Sequence, residues 1–181
     1  MSRDFLADQA LGDLGELLWS RWLKAKGGDP VISDKKCNWD VLDKTTGVYY
    51  EVKLDAKAYY WAERRKTTVN LFLEYETVAT GKPSGIMTAE ASYLIYIVKN
   101  PQDLHVAFTF DLEELKKYLW EQHESKPEVN GRGNVRGWTP PISALVNEEG
   151  TGFKKLIILP MSLIEHEKDI PELSLLEATN R

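Results

Sequence analysis

The chain has 181 residues, 43% of them hydrophobic, with one cysteine and a formal charge of −5. This length and apolar content suit a single domain, residues 1–170 with a short tail at 171–181, and the lone Cys37 excludes an internal disulfide. The charge argues against a protein that merely coats nucleic acid. The opening MSRDFLADQA lacks a secretory pattern, and no apolar run approaches the ~18 residues of a membrane span, so a soluble cytoplasmic protein is expected.

Residues 3–28 read as a helix that is apolar nearly all round and stops at Gly27 and Gly28, which implies burial on more than one side. PVIS, NWDVLD and VYYEVKL read as short strands, the last two joined by the turn KTTG. The next segment, KLDAKAYYWAERRK, sets Lys53, Lys57, Arg64, Arg65 and Lys66 against Asp55 and Glu63, with aromatic residues interleaved. NLFLEYE alternates as a fourth strand, with Asn70, Phe72, Glu74 and Glu76 opposite Leu71, Leu73 and Tyr75, before GKPSG breaks the chain. YLIYIVK and HVAFTF pair around NPQD, DLEELKKYLWEQHE is a capped helix, and KKLIILPM is a late strand. Residues 125–152, rich in Gly, Pro and Asn, read as a long loop that carries Arg132 and Arg136 within GRGNVRGW. The order predicts an α/β (α+β) fold, a mixed sheet flanked by helices.

The hairpin at residues 38–55 poses a charge problem. Alternation puts Val48, Tyr50, Val52 and Leu54 on one face of its second strand and Tyr49, Glu51, Lys53 and Asp55 on the other. An antiparallel register that pairs Val41 with Tyr50 and Trp39 with Val52 keeps these apolar pairs on the core side. Asp40, Glu51 and Lys53 then emerge together on the other side, and a one-residue shift would bury the charges. Two carboxylates facing each other repel, so a purely structural sheet gains nothing from them. A divalent cation removes the repulsion: Mg²⁺, or Mn²⁺ in its place, takes one or two carboxylates and fills its other positions with water and phosphate oxygens. Lys53 on the same face is placed to hold or help deprotonate the attacking water, or to stabilise charge on a phosphate.

This constellation resembles the PD-(D/E)XK nuclease superfamily, which includes restriction enzymes, phage endonucleases and Holliday-junction resolvases. The matching residues are Asp40 and the EVK of Glu51 and Lys53, on a hairpin that follows a helix carrying Glu16; Trp39 stands where the family often has proline. The resemblance implies a restriction-endonuclease-like core of a helix, a mixed four-stranded sheet and a further helix, and metal-dependent hydrolysis of DNA. Asp40 and Glu51 would bind the metal, with Glu16 completing the acid cluster and Lys53 positioning water. Asn70 and Glu74 are supporting candidates, and Ser84, Gly85 and Thr88 are candidate phosphate donors. Lys57, Arg64, Arg65, Lys66, Arg132 and Arg136 are the candidates for holding DNA, with Trp61 and Trp138 as stacking candidates. The implied partner is DNA, with a homodimer as an open option and no membrane.

Competing readings remain at this point. The same fold without catalysis would be a nucleic-acid-binding module, Lys53 would merely pair with Glu51 or Asp40 in a structural protein, and Glu16 would pair with a base such as Lys36. His105, His123 and His166 have no zinc-ligand spacing, Cys37 reads as inert, and no phosphate-binding glycine loop is present.

Overall fold

The computed structural model describes residues 3–34, 37–100, 102, 104–123, 129–131 and 134–163; for residues 3–8, 61, 65, 123, 129–131 and 161 only the backbone is described. Helix α1 spans Arg3–Ala25, and its Leu14, Leu18, Trp19 and Leu23, at helical spacing, are all buried. It ends where Gly27 takes φ +88° and the Gly28 N–H donates to the Leu23 carbonyl at 3.0 Å, a left-handed exit that suits glycine. Strands β1 (Pro30–Ile32), β2 (Val41–Asp43) and β3 (Val48–Asp55) follow. The basic aromatic segment forms helix α2 (Ala58–Arg65), and β4 (Leu73–Thr77) and β5 (Lys82–Pro83) form a hairpin after it. Next come β6 (Tyr93–Lys99), β7 (His105–Asp111) and α3 (Leu112–His123), whose first turn is held by the Glu114 N–H donating to Asp111 Oδ1. The chain continues through β8 (Val129–Gly131), β9 (Val135–Trp138), α4 (Ile142–Asn147) and β10 (Phe153–Ile158).

Six strands form a central sheet in the order β1-β2-β3-β6-β7-β10, and β5-β4-β9-β8 form a second, smaller sheet. Only β3 and β6 run parallel within the central sheet, so it is mixed, and the crossover between them carries α2 and the β4–β5 hairpin. Apolar clusters cover both of its faces. On one, α1 packs against Val41, Val52, Ile95, Ile97 and Ala107. On the other, Leu94, Tyr96, Val98, Phe108 and Phe110 meet the small sheet through Leu71, Leu73 and Tyr75 and meet α3 through Leu112, Leu115 and Leu119. The fold is thus mixed α/β, with a central mixed sheet flanked by helices. Among the described residues no helix is long and apolar enough to cross a membrane.

Three expectations change here. The strand from NLFLEYE does bury Leu71, Leu73 and Tyr75, but it leaves the central sheet and builds the second one. The Phe72 N–H donates to the Tyr96 hydroxyl at 3.1 Å and fastens one sheet to the other. The expected long loop contains β8, β9 and α4. Its Gly137 is there for close approach, since a Cβ at that position would lie 2.7 Å from the Phe72 ring. Finally, the charged face of β3 is only partly open: Glu51 is buried, while the Lys53 side chain keeps 41% exposure and Tyr49 37%. The expected tail at 171–181 lies outside the described residues.

Candidate active site

The β2–β3 ladder pairs Val41 with Tyr50, Leu42 with Tyr49 and Asp43 with Val48, which is the register expected from alternation. It stops one residue before Asp40. There the Asp40 N–H donates to the Tyr50 carbonyl at 2.9 Å, and the Asp40 side chain takes over the role of the main chain: Oδ2 accepts the Val52 N–H at 2.7 Å. Val52 lies between Glu51 and Lys53, so this bond fixes the Asp40 carboxylate against the strand that carries both. The offset also moves Trp39. Instead of joining Val52 on the α1 face, it packs against the opposite cluster and against Tyr49.

Glu51 is buried, with 6% of its surface exposed, and Lys53 Nζ lies 2.5 Å from its Oε1. The Lys53 side chain keeps 41% exposure. Burial pushes the Glu51 carboxyl up, Lys53 pulls it back, and the neighbouring Asp40 pushes it up again, leaving it above the ordinary carboxylate range. Burial pulls on the Lys53 ammonium in the opposite sense, yet Glu51 and Asp40 outweigh it and hold it above its ordinary value. Lys53 is therefore a cation at neutral pH, suited to stabilising negative charge or orienting water and unsuited to removing a proton.

Sequence reasoning missed Lys116. From α3 its ammonium donates to the Ala89 carbonyl at 3.0 Å and pairs with Glu113 at 2.7 Å, and its charge favours the ionised form of Glu51. The helical pattern of α3 marks its face, but nothing in sequence spacing says which strand that face meets.

Glu16 is not gathered with the pair. Its neighbour Gly15 approaches Leu54 and Val52, so α1 lies on the face of β3 opposite to Glu51 and Lys53. Among the described residues, no group of three or more His, Cys, Asp and Glu is arranged to hold a metal ion. Glu74 is half-buried and its charge reaches Lys53, whereas Asn70 is exposed and its Oδ1 accepts from the Thr68 hydroxyl at 2.9 Å. The Thr88 hydroxyl donates to the Gly85 carbonyl at 3.0 Å, and Ser84 precedes a single 3₁₀ turn, Gly85–Met87, which is too short to act as a helix terminus.

Of the candidate DNA contacts, Lys57 and Lys66 are exposed at the two ends of α2, and Arg64 donates from Nη1 to the Tyr60 hydroxyl at 2.9 Å. Arg136 pairs with Glu76 at 3.0 Å. Arg132 and His166, and the side chains of Arg65, Trp61 and His123, lie outside the described residues. Trp138 is core rather than a stacking surface: it is buried, 4.5 Å from the Tyr75 ring. Cys37 is exposed, with Sγ 3.8 Å from Asp34 Oδ1.

The donor set fits a hard divalent cation in kind. Each acid has one oxygen committed, Oδ2 of Asp40 to a backbone N–H and Oε1 of Glu51 to Lys53, and each brings a second oxygen of the type Mg²⁺ accepts. Two carboxylates satisfy the usual protein share of a Mg²⁺ shell, and their mutual repulsion is what a cation would relieve. Compared with protein-family models, with curated proteins and with solved structures, the chain matches none of them.

Proposed function

We propose that the chain is a metal-dependent nuclease that hydrolyses phosphodiester bonds of DNA in the cytoplasm, with the acid pair of Asp40 and Glu51 and the cation Lys53 as its centre. The observation that carries this reading is the Asp40 Oδ2 accepting, at 2.7 Å, the N–H of Val52, the residue between Glu51 and Lys53 in the strand. The element order supports a restriction-endonuclease-like core: α1, the antiparallel β1, β2 and β3, then α2, then β6 parallel to β3.

In this mechanism Asp40 and Glu51 would hold Mg²⁺ or Mn²⁺, and the metal would supply Lewis-acid stabilisation of charge on the phosphate. Water attacks in line, forming an oxygen–phosphorus bond as the bond to the leaving oxygen breaks; the proton the water loses passes to solvent, and the leaving oxygen takes one from solvent. Lys53, held as a cation, stabilises the charge on the phosphate oxygens and orients the water. Lys57, Arg64 and Lys66 are the residues of the basic segment that hold the backbone.

A structural reading has its own observation, the close Lys53–Glu51 pair, which needs no metal. Melting of wild type and Glu51→Gln in EDTA and in Mg²⁺, beside cleavage of labelled duplex, flap and four-way-junction DNA, separates the two. The nuclease reading expects wild type to gain about 1.4 kcal/mol when free Mg²⁺ is about ten times its dissociation constant. It expects Glu51→Gln to lose both that gain and cleavage. A wild type indifferent to Mg²⁺ and Mn²⁺ that cuts none of these substrates overturns it. Metal-independent DNA binding without cleavage would select a non-catalytic binding module.

A further inference from the structure

Beside the acid pair, on the same face of β3, lies an aromatic pair. Tyr49 precedes Glu51 by two residues, so alternation puts its ring on the side of Glu51 and Lys53, at about 7 Å along the strand. The Trp39 ring, from the residue before Asp40, packs against it with centroids 5.2 Å apart and planes at 57°. Trp39 is half-buried against the core, whereas Tyr49 keeps 37% of its surface exposed. The backbone at Tyr49 and next to Trp39 is tied down. The Ser92 N–H donates to the Tyr49 carbonyl at 2.9 Å, and the Glu90 N–H donates to the Asn38 carbonyl at 2.6 Å, one residue before Trp39.

Tyr49 is backed by Trp39, and its part-exposed ring lies on the side of β3 that carries Glu51 and Lys53. A nucleotide supplies the complement, a flat π-face joined to a phosphate at a comparable separation. Within a duplex each base is stacked on both sides, so such a ring reaches only a base that has left the stack.

We propose that Tyr49, backed by Trp39, is a stacking platform for an unpaired nucleobase next to the Asp40–Glu51 centre, which makes single-stranded or locally melted DNA the preferred substrate. The choice of a nucleotide as occupant and the position of the cut rest on the nuclease reading; the stacking itself is read out without metal or cleavage.

Fluorescence anisotropy in EDTA, where no cleavage occurs, tests this with a labelled single strand and a labelled blunt duplex on wild type, Tyr49→Phe, Tyr49→Leu and Tyr49→Ala. Wild type is expected to prefer the single strand. Tyr49→Ala and Tyr49→Leu are expected to lose about tenfold in single-strand affinity with duplex affinity unchanged, while Tyr49→Phe, which keeps the ring, stays near wild type. A single strand carrying 2-aminopurine adds a direct readout, because stacking quenches its fluorescence and the two ring-less variants should abolish the quench. Melting temperatures check the fold of each variant, and two independent ring-less variants guard against one that misfolds. An unchanged ratio of single-strand to duplex affinity in both, or a wild type that prefers duplex, overturns the platform. Mg²⁺-dependent cleavage is scored separately: its absence beside a Tyr49-dependent preference removes the nuclease reading alone, and its presence beside an unchanged ratio removes the platform alone.

Discussion

Toward α1, strand β3 presents Val52 and Leu54 to Gly15 and to a cluster that includes Leu18 and Trp19; toward the other layer it presents Glu51, Lys53 and Asp55. The first side is closed by shape; the second, covered in part, is held by charge. Gly15 lets the helix come so near that a Cβ there would lie 3.0 Å from the Leu54 Cβ. On the polar side, Glu51 meets Lys53, Asp40 and the field of Lys116, while Lys53 sits across the parallel ladder from Tyr96, whose hydroxyl anchors Phe72. A buried face of this kind is stable only while its charges balance.

The comparison breaks most visibly if the α1 side is weakened. Ile97→Ala, at a position with no exposure, is expected to cost about 2–5 kcal/mol in denaturant unfolding, from lost transfer energy and the cavity left behind. On the proposed metal-dependent reading, the Mg²⁺ response of the remaining folded protein should be unchanged. If that response falls in step with stability, the two faces are one unit.

Lys53→Met strikes the polar side. It leaves Glu51 buried beside Asp40 without its counter-ion, at an expected cost of about 1–3 kcal/mol, discounted for the partial exposure of the lysine. The sign with pH follows from the raised Glu51 carboxyl. Its folded form binds a proton more readily than the unfolded chain, so the cost is absent below the unfolded value of ~4.3 and grows as pH rises through the folded one. Melts of wild type and variant across that range should diverge upward in pH, and parallel curves would remove the ion pair from the account.

Asp43 shows how a buried acid behaves when hydrogen bonds win. Burial would raise its carboxyl, but the Thr46 hydroxyl and the N–H groups of Asp29 and Thr45 donate to it and hold it below the ordinary range. Its stabilisation is present above the unfolded value of ~3.9 and disappears as pH falls through the folded one. Asp43→Asn is expected to cost about 1–2 kcal/mol near neutral pH, with the gap to wild type closing in acid. A gap independent of pH would assign the cost to shape and not charge.

The register of the β2–β3 hairpin was legible because its alternation admits one solution: pairing Val41 with Tyr50 keeps Val52 inward and sets Glu51 and Lys53 on the other side. The cover over that second side was not legible. NLFLEYE alternates like an edge strand, and only long-range contacts with Trp138 and Arg136 decide that it joins another sheet. The glycines of residues 125–152 suggested loop, because a glycine demanded by a ring pressed against it looks the same in sequence as one demanded by a turn. Trp39 changed faces because a side chain, Asp40, replaced the main chain in one hydrogen bond, which no periodicity encodes. The separation of Glu16 from the acids follows from which face of β3 the helix chooses, a tertiary choice.

The smallest expected effect sharpens the comparison most. Lys116 is far along the chain from the acids, yet its ammonium, on a side chain only 14% exposed, holds the Ala89 carbonyl. The following residues clamp both acid-bearing segments, through the Glu90 N–H on the Asn38 carbonyl and the Ser92 N–H on the Tyr49 carbonyl. The Leu112 N–H ties α3 to Ser92 at 3.1 Å. Lys116→Met keeps the apolar stem and removes the charge, so global stability should fall by about 0.5–1.5 kcal/mol, the range of one hydrogen bond. The informative readout is local. Amide hydrogen exchange at Glu90 and Ser92 should accelerate, while Val41 and Val52, which pack toward α1, keep their wild-type protection. Lys116→Arg, which retains a cationic donor, should restore the slow exchange. Equal acceleration at Glu90 and at Val41 would mean that one lysine loosens the whole sheet, and the division between a face closed by shape and a face closed by charge would fail.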